Sequence, residues 1–179
     1  MNDGLIPGRY AKALYKQAKE EGVAETLYAE MEQLAAIYAT EPALKQLTDN
    51  PFVSVEDKKR VVLSAAGSKA GGLLEKFVLL VVKNRRVEQL RLMAMSYVDC
   101  YRELNDIVQV EVVTASELDK SHLDSIVALV QRSLPGKAIE LSTRIDASLI
   151  GGFVVNVDSL VLDASVKNEL NKLRLKLLS

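Results

Sequence analysis

The sequence predicts an α+β protein, with an N-terminal six-helix bundle followed by a small C-terminal α/β domain that contains a β-hairpin and a terminal helix. Apolar residues recur at helical spacing over residues 9–104. From residue 106 onward they alternate with polar residues, as on half-buried strands, before a last helical stripe. This change of period predicts domains over residues 1–105 and 106–179.

The six helices of the bundle are predicted from apolar stripes and from the breaks between them. Pro51 ends the third stripe, because the residue before a proline resists helical backbone angles. Ser54, with Asp57 three residues later, is typical of a capping box that opens the fourth helix, and Gly67 is suited to end that helix. The stripes cover residues 10–18, 23–38, 44–47, 61–63, 73–84 and 87–101.

The C-terminal domain is predicted to run strand, helix, strand, hairpin and helix. Pro135 and Gly136 end its first helix, and Asp158 with Ser159 forms the turn of the hairpin. Ser165 is suited to cap the last helix, which we expect to pack on the sheet. The apolar positions are Val108, Val110 and Val112; then Leu123, Ile126, Val127, Val130 and Leu134; Ile139, Leu141 and Ile145; Phe153, Val155, Val157, Leu160 and Leu162; and Val166, Leu170, Leu173 and Leu177.

Two adjacent glycines, Gly151 and Gly152, stand immediately before the hairpin. Glycine is used where the backbone needs a positive φ angle, or where a neighbouring chain comes too close for a Cβ atom. We therefore expect one of these constraints at the pair, and we expect Phe153, Val155 and Val157 to face the core. The segment contains no reactive group, so its predicted role is structural.

Composition places the chain among globular proteins. It is 49% hydrophobic and 26% charged, and its net charge of −1 gives no overall attraction to nucleic acid or anionic lipid. The longest strongly apolar run, FVLLVV, has six residues, whereas a membrane-spanning helix needs ~20. With one cysteine and no signal or transit sequence at the N-terminus, the sequence predicts a soluble protein of a reducing compartment.

The residue types that usually carry catalysis are scarce. His122 is the only histidine, and zinc sites need three or four clustered ligands, so His122 is interpreted as a surface residue. Cys100 lies among helical core positions, where cysteine behaves as a small hydrophobe, and a hydrolase or transferase that uses Cys100 is the weaker interpretation. Asp158 and Asp163 are explained more simply as turn and strand-end or cap residues than as a carboxylate pair. The sequence predicts no catalytic residue, cofactor or metal.

One basic cluster supports an alternative function. Lys83, Arg85 and Arg86 follow one another closely, so a nucleic-acid-binding helical protein is the alternative hypothesis. The cluster also stands at a helix C-terminus, where cations are favoured by the helix dipole. Aromatic residues are 5% of the chain and none lies within the cluster, so base stacking is poorly supported.

Two helices carry more apolar surface than one packing contact requires. The helix from Leu73 is apolar nearly all round, which is typical of a helix covered on every side, either by its own core or by a docked partner. Both interpretations stay open at this point. Small residues beside large ones on the first helix, such as Ala11 and Ala18, are compatible with a groove for an amphipathic helix.

Four segments resemble one known family, the delta subunit of F-type ATP synthase, whose mitochondrial counterpart is the oligomycin-sensitivity-conferring protein. The most specific is the last, with two glycines, alternating apolar residues, an aspartate, and Ser-Val before a Leu-x-x-Leu helix. The resemblance covers essentially the whole chain. The segments are RYAKALY at residues 9–15, NPFVSVEDKKRVV at 50–62, FVLLVVKNRRVEQL at 77–90 and IGGFVVNVDSLVLDASVKNELNKL at 150–173.

The resemblance implies a non-catalytic stator subunit that links the catalytic head to the peripheral stalk, so that ion-driven rotation is coupled to ATP synthesis. It implies that the bundle binds the N-terminal segment of an alpha subunit between its first and fifth helices, where we expect Tyr10, Leu14, Phe77 and Val81 to line a groove. It implies that the C-terminal domain contacts the b subunits of the stalk. The residues that form its C-terminal signature are Gly151, Gly152, Phe153, Asp163, Ser165 and Leu170.

The same resemblance gives the expected setting. It implies no cofactor, no nucleic acid, one copy per complex, and a peripheral position at the cytoplasmic face of a bacterial cell membrane, with contact to the membrane only through the assembled enzyme.

Overall fold

The protein divides into two compact units, unit 1 at Met1–Arg102 and unit 2 at Glu103–Ser179. The structure is a computed structural model that describes residues 5–68, 72–116, 120–134, 136–157 and 160–178. Unit 1 is helical in its described part, and unit 2 combines helices with one four-stranded sheet. The predicted α+β class is therefore confirmed.

Unit 1 is built from helices joined by short connections. Ser54 caps the fourth helix as predicted, because its Oγ accepts a hydrogen bond of 3.1 Å from the Asp57 backbone amide. Gly67 follows the same helix with a φ of 64°, a conformation that glycine adopts easily. The helices are α1 Leu5–Glu20, α2 Ala24–Thr40, α3 Pro42–Asp49, α4 Val55–Ala65, α5 Leu73–Lys83, a 3-10 turn Val87–Gln89 and α6 Leu90–Leu104.

The core of unit 1 gathers the apolar stripe of each helix. Met31, Leu34, Leu74 and Tyr97 are fully buried there, and Tyr97 donates a hydrogen bond to the Ala24 carbonyl oxygen. Cys100 is also buried in this core, as its helical spacing predicted. Burial of these side chains is the main source of stability for such a bundle, since each contributes about 1.5–3 kcal/mol relative to exposure.

Unit 2 contains a sheet in the order β2-β1-β3-β4. Strand β1 pairs parallel with β2 and antiparallel with β3, and β3 pairs antiparallel with β4. Asp158, Ser159 and Pro135, which were assigned to turns, lie outside the described residues. The elements are β1 Ile107–Thr114, α7 Lys120–Ser133, β2 Ala138–Ile145, a 3-10 turn Ala147–Leu149, β3 Gly152–Val157, β4 Leu160–Ser165 and α8 Val166–Leu178.

The strand register puts the predicted apolar positions on one face of the sheet. Val110 lies opposite Val157, and Val112 lies opposite Val155. Side chains directly opposite each other on paired strands share a face, and α7 covers this one with Ile126 and Val130. The inward orientation predicted for Phe153, Val155 and Val157 is confirmed, since all three belong to this second core.

The packing predicted for the last helix is wrong. Helix α8 contacts β4 and the 3-10 turn before β3, but its apolar stripe is left uncovered. Leu170 is 51% exposed, Leu173 55% and Leu177 86%. Helical spacing identified the apolar face of α8 correctly, but it carried no information on whether the sheet reaches far enough to cover that face.

No helix among the described residues combines the length and the apolar character needed to cross a bilayer.

Candidate functional site

Helices α1 and α5 meet at Tyr10. The Tyr10 ring packs edge-on against Phe77, with 6.2 Å between ring centroids and 70° between ring planes. Beyond the end of α5, the Tyr10 hydroxyl accepts hydrogen bonds from the Asn84 side-chain amide at 2.9 Å and from Arg86 at 3.3 Å. The Arg86 guanidinium also lies 5.6 Å from the centre of the Tyr10 ring. These contacts fix the position of Tyr10 against the C-terminal end of α5.

The four residues expected between these helices differ in exposure. Leu14 and Phe77 are 5% exposed and Val81 is fully buried, so these three side chains belong to the core of unit 1. Tyr10 is half-buried and packs on the outside of that core. Leu14, Phe77 and Val81 therefore lie beneath the protein surface between α1 and α5. Of the four residues, Tyr10 is the one that reaches that surface.

An apolar strip lies on the solvent side of these residues. Leu80 is 49% exposed, and its helical spacing from Phe77 and Asn84 places it on the flank of α5 that faces Tyr10. On α1, Ile6 is half-buried and Ala13 is exposed, and both share the stripe of Tyr10 by the same spacing. We call the strip formed by Ile6, Tyr10, Ala13 and Leu80, with the buried Phe77 beneath it, the α1/α5 surface.

Sequence reasoning did not single out Leu80. The sequence showed only that α5 is apolar nearly all round. Leu80 is distinguished from Leu79 by its helical spacing from Phe77. Leu79 is 40% exposed on the other flank of α5, the side on which Glu75 forms a 2.8 Å ion pair with Lys59 of α4. Two adjacent leucines thus have similar exposure but face different surroundings.

The basic cluster after α5 serves to end that helix. Lys83 is its last residue, and Arg85 adopts a positive φ of 54°. The backbone amides of Arg85 and Arg86 donate to the carbonyl oxygens of Val82 and Val81, which satisfies acceptors that a helix C-terminus otherwise leaves open. With Arg86 held on Tyr10, one of the three basic residues of the cluster is part of the contact between α1 and the end of α5.

The two glycines of unit 2 are explained by close packing. Gly152 has a φ of 72°, and a Cβ atom there would lie 2.3 Å from the Ala164 carbonyl oxygen on β4. A Cβ on Gly151 would lie 3.1 Å from a methyl carbon of Val166, the first residue of α8. The Gly151 carbonyl oxygen accepts a hydrogen bond of 3.0 Å from the Val166 amide. The pair therefore lets the start of β3 lie directly against the β4–α8 junction, as the sequence predicted.

Asp163 and Ser165 organise the same junction. The Ser165 hydroxyl accepts a hydrogen bond of 3.2 Å from the Asn168 amide and so caps α8, as predicted. The Asp163 carboxylate accepts one of 2.9 Å from the Ser165 amide, and the hydrogen bonds from Ser165 hold the pKa of Asp163 below its ordinary value. Their role in the fold is local.

Apolar side chains are exposed on β4 and on α8, the two elements that meet at this junction. Leu160 is 70% exposed and Leu162 51%. Leu170 and Leu173 of α8 add to them, and all four are large aliphatic residues on elements whose backbone is well paired or helical. We call Leu160, Leu162, Leu170 and Leu173 the β4/α8 surface. Large exposed apolar side chains in such number are a common feature of protein-binding sites.

The residues considered for catalysis are described only in part. Cys100 is buried in the core of unit 1, and the side chain of His122 lies outside the described part of the chain. Among the residues that the structure describes, no group of three or more His, Cys, Asp or Glu residues is arranged to hold a metal ion. What the described chain offers is apolar surface.

Sequence comparison finds known proteins that align with nearly the whole chain. Residues 6–177 match the family model of the ATP synthase delta (OSCP) subunit. The chain is 37% identical to ATP synthase subunit delta of Phocaeicola vulgatus over 96% of its own length and 92% of the relative. It is 34% identical to ATP synthase subunit delta of Microcystis aeruginosa, covering 94% and 92% of the two chains.

A solved structure has the same fold. A chain in the cryo-EM structure of the Toxoplasma gondii mitochondrial ATP synthase hexamer superimposes with a TM-score of 0.69 at 23% identity, covering 97% of each chain. Since the family model spans almost every residue and the two relatives are 37% and 34% identical over 92% of their own length, the chain belongs to the ATP synthase delta (OSCP) subunit family.

Proposed function

We propose that the chain works as an adaptor with one protein-docking surface in each unit. As a member of its family it is a non-catalytic stator subunit of F-type ATP synthase, which links the catalytic head to the peripheral stalk. Ion-driven rotation is coupled to ATP synthesis only if the head is kept from turning with the rotor. The subunit therefore has to stay bound to its partners under load, and slow dissociation favours apolar contacts over charged ones.

The α1/α5 surface is proposed to bind the N-terminal segment of an alpha subunit as an amphipathic helix. The observation that supports this most directly is Leu80, a large aliphatic side chain exposed beside the Tyr10–Phe77 ring pair. Ala13, exposed on α1 one turn after Tyr10, is small enough to let a helix approach closely. Leu14, Phe77 and Val81 fix the floor, and Tyr10 offers the ring that a docked helix covers.

The β4/α8 surface is proposed to bind the b subunits of the peripheral stalk. Burying side chains of this size contributes about 1.5–3 kcal/mol each, so docking on the four leucines repays a large part of the entropy lost on association. The same burial is expected to stabilise unit 2. We therefore expect unit 2 to melt at a higher temperature with the b subunits bound than without them.

The location of the chain in the cell and its copy number in the complex are also proposals. We infer a peripheral position at the cytoplasmic face of the cell membrane, held there through the assembled enzyme, and one copy per complex. The nucleic-acid alternative is disfavoured, since Arg86, one of its three basic residues, is engaged with Tyr10, and the chain belongs to the ATP synthase delta (OSCP) subunit family.

Adjacent leucines provide a matched test for unit 1. Leu80→Asp is expected to weaken binding of a synthetic alpha-subunit N-terminal peptide by at least ~100-fold, because a buried unpaired carboxylate adds several kcal/mol to the lost apolar contact. Leu79→Asp makes the same change on the other flank of α5 and is expected to bind as the native chain does. Isothermal titration measures both. Equal affinities for the two variants would exclude the α1/α5 surface.

The two sides of α8 provide the corresponding test for unit 2. Leu173→Asp lies on the exposed stripe, whereas Leu175, which is 69% exposed, points away from that stripe by helical spacing. Only Leu173→Asp is expected to lower the affinity for purified b subunits, by roughly tenfold or more. A loss caused by Leu175→Asp alone would place the stalk on the opposite face of the helix.

A further inference from the structure

Ile150 has a backbone conformation that isoleucine rarely adopts. It follows the 3-10 turn Ala147–Leu149 with a φ of 68° and a ψ of −37°. A positive φ brings the Cβ atom close to a neighbouring carbonyl oxygen, and for a β-branched residue such an angle is an outlier. Glycine usually occupies such positions, because it has no Cβ atom. Isoleucine here therefore costs unit 2 some stability that glycine would retain.

The surrounding structure holds Ile150 in this conformation from both sides. The Ile150 amide donates a hydrogen bond of 3.3 Å to the Ala147 carbonyl oxygen, and the Leu149 side chain before it is buried. After it, the Gly151 carbonyl oxygen accepts a hydrogen bond of 3.0 Å from the Val166 amide. Strained residues persist only where their neighbours fix them in this way, and they cluster at functional sites.

The packing of unit 2 uses the Ile150 side chain very little. Ile150 is 67% exposed, whereas Leu149, one residue earlier, is 9% exposed. Glycine at position 150 would relieve the strain and lose only the small part of the side chain that is covered. The isoleucine is explained if a partner covers the exposed part, because apolar burial on binding then offsets the strain.

Ile150 lies close to the start of the apolar stripe of α8. The hydrogen bond between the Gly151 carbonyl oxygen and the Val166 amide brings the residue before Gly151 near the first turn of that helix. Val166 is 38% exposed, and Leu170 and Leu173 continue its stripe at helical spacing. Ile150 therefore adds an apolar side chain to the β4/α8 surface at the end where α8 begins.

The charges of α8 indicate the chemistry of the partner. Its sequence contains one acidic residue, Glu169, and four basic residues, Lys167, Lys172, Arg174 and Lys176. A partner segment that combines aliphatic side chains with Asp and Glu complements a helix of this composition. Since the β4/α8 surface is proposed to bind the b subunits of the stalk, an acidic amphipathic segment of those subunits is the partner that fits.

We propose that Ile150 is kept in its strained conformation because its side chain anchors such a segment of the b subunits at the start of the α8 stripe. The proposal rests on the proposed function of the β4/α8 surface and adds a residue whose contribution to binding opposes its contribution to folding. Anchors of this kind are side chains that lose their contact with water in the complex. Glycine at position 150 makes unit 2 more stable and its attachment to the stalk weaker.

An alanine–glycine comparison measures the strain. Ile150→Ala and Ile150→Gly both remove the aliphatic side chain, so they differ in the cost of the positive φ. In the intact ¹⁵N-labelled chain, the Val155 amide of β3 is expected to exchange about fivefold to thirtyfold more slowly in Ile150→Gly than in Ile150→Ala. Ala147→Gly is the control, at an exposed position without a positive φ. It is expected to exchange about twofold to fivefold faster than the native chain.

Titration calorimetry with purified b subunits measures the anchor. Ile150→Gly and Ile150→Ala are expected to bind about tenfold or more weakly, because each removes most of an apolar side chain. Ile150→Val keeps the β-branch and most of the apolar surface, and it is expected to bind within about threefold of the native chain. Leu141→Ala removes an exposed leucine from β2, at the other edge of the sheet from β4, and is expected to bind as the native chain does.

The outcomes separate the role of Ile150 from the docking function. Exchange in Ile150→Gly that is as fast as in Ile150→Ala overturns the strain. Native affinity in both variants overturns the anchor, and it leaves the β4/α8 surface intact if Leu173→Asp still weakens binding. Absence of saturable binding by the native chain overturns the proposed function of the β4/α8 surface itself.

Discussion

Replacing Gly152 by alanine is expected to destabilise unit 2 far more than the same change at another glycine of positive φ. Gly152 pairs with Ser165 where β3 begins, and a Cβ atom there would lie 2.3 Å from the Ala164 carbonyl oxygen. The backbone of β4 has to move by about 0.7 Å before that contact reaches the 3.0 Å below which real Cβ contacts are essentially absent. Gly136 has a φ of 83° and open space where its Cβ would be, so Gly136→Ala isolates the cost of the dihedral angle.

The two contributions have separate magnitudes. A left-handed conformation costs an alanine about 1–2 kcal/mol. The collision with the β4 backbone adds about 1–3 kcal/mol, as overpacking usually does. We therefore expect a loss of about 1–2 kcal/mol for Gly136→Ala and about 2–5 kcal/mol for Gly152→Ala. Gly151→Ala meets only a Val166 methyl group at 3.1 Å and is expected to cost less than ~1 kcal/mol.

Hydrogen exchange distinguishes the units within the intact chain. The amide of Val155 lies on β3 between two paired strands, and it is expected to exchange roughly 30- to 5000-fold faster in Gly152→Ala. All six tyrosines lie in unit 1, so tyrosine fluorescence in urea follows that unit and is expected to be unchanged. If Gly152→Ala and Gly136→Ala accelerate exchange equally, the close approach of β4 is not what requires glycine at this position.

Three further perturbations test local features of the fold. Ser54→Ala removes the cap of α4 and is expected to lower the free energy of unfolding by about 1 kcal/mol in urea titrations, whereas Ser54→Asp is expected to keep most of it. Burial raises the pKa of the Tyr97 hydroxyl, so its ionisation favours the unfolded chain. The free energy of unfolding is therefore expected to fall as pH rises above about 10, and Tyr97→Phe is expected to reduce that fall, as followed by circular dichroism. Hydrogen bonds from Asn156 and Arg144 lower the pKa of Glu111, so their contribution is present above the ordinary pKa of glutamate and is lost as pH falls below it. Glu111→Gln is expected to flatten that acid-side loss in the stability of unit 2.

Local constraints could be read directly from the sequence. Ser54 and Ser165 cap helices, Gly67 ends one, and Gly152 stands where a positive φ and a close neighbour exclude a side chain. Each of these depends on a few consecutive residues, and backbone hydrogen bonding limits the possibilities to a small number. The α+β class followed in the same way, from the change of apolar period.

The solvent exposure of side chains at the docking surfaces could not be predicted from the sequence. Periodicity identifies the apolar face of a helix but not the object that covers it, and that depends on elements far away in sequence. Phe77 and Val81 proved to be covered by the bundle itself, whereas Leu80, a neighbour of similar chemistry, is half-exposed.

The first and last helices, α1 and α8, also show which features the sequence determined and which ones the tertiary structure decided. By itself the sequence determined the family, the class of fold, the caps, and which residues of α8 are apolar, because these follow from local pattern and composition. Only the tertiary structure decided that the α8 stripe stays uncovered, that Arg86 lies on Tyr10, and that Leu80 is exposed while Phe77 and Val81 are buried. Those facts arise from distant segments meeting in space, and the free energy of such contacts is set by geometry that no single stretch of sequence contains.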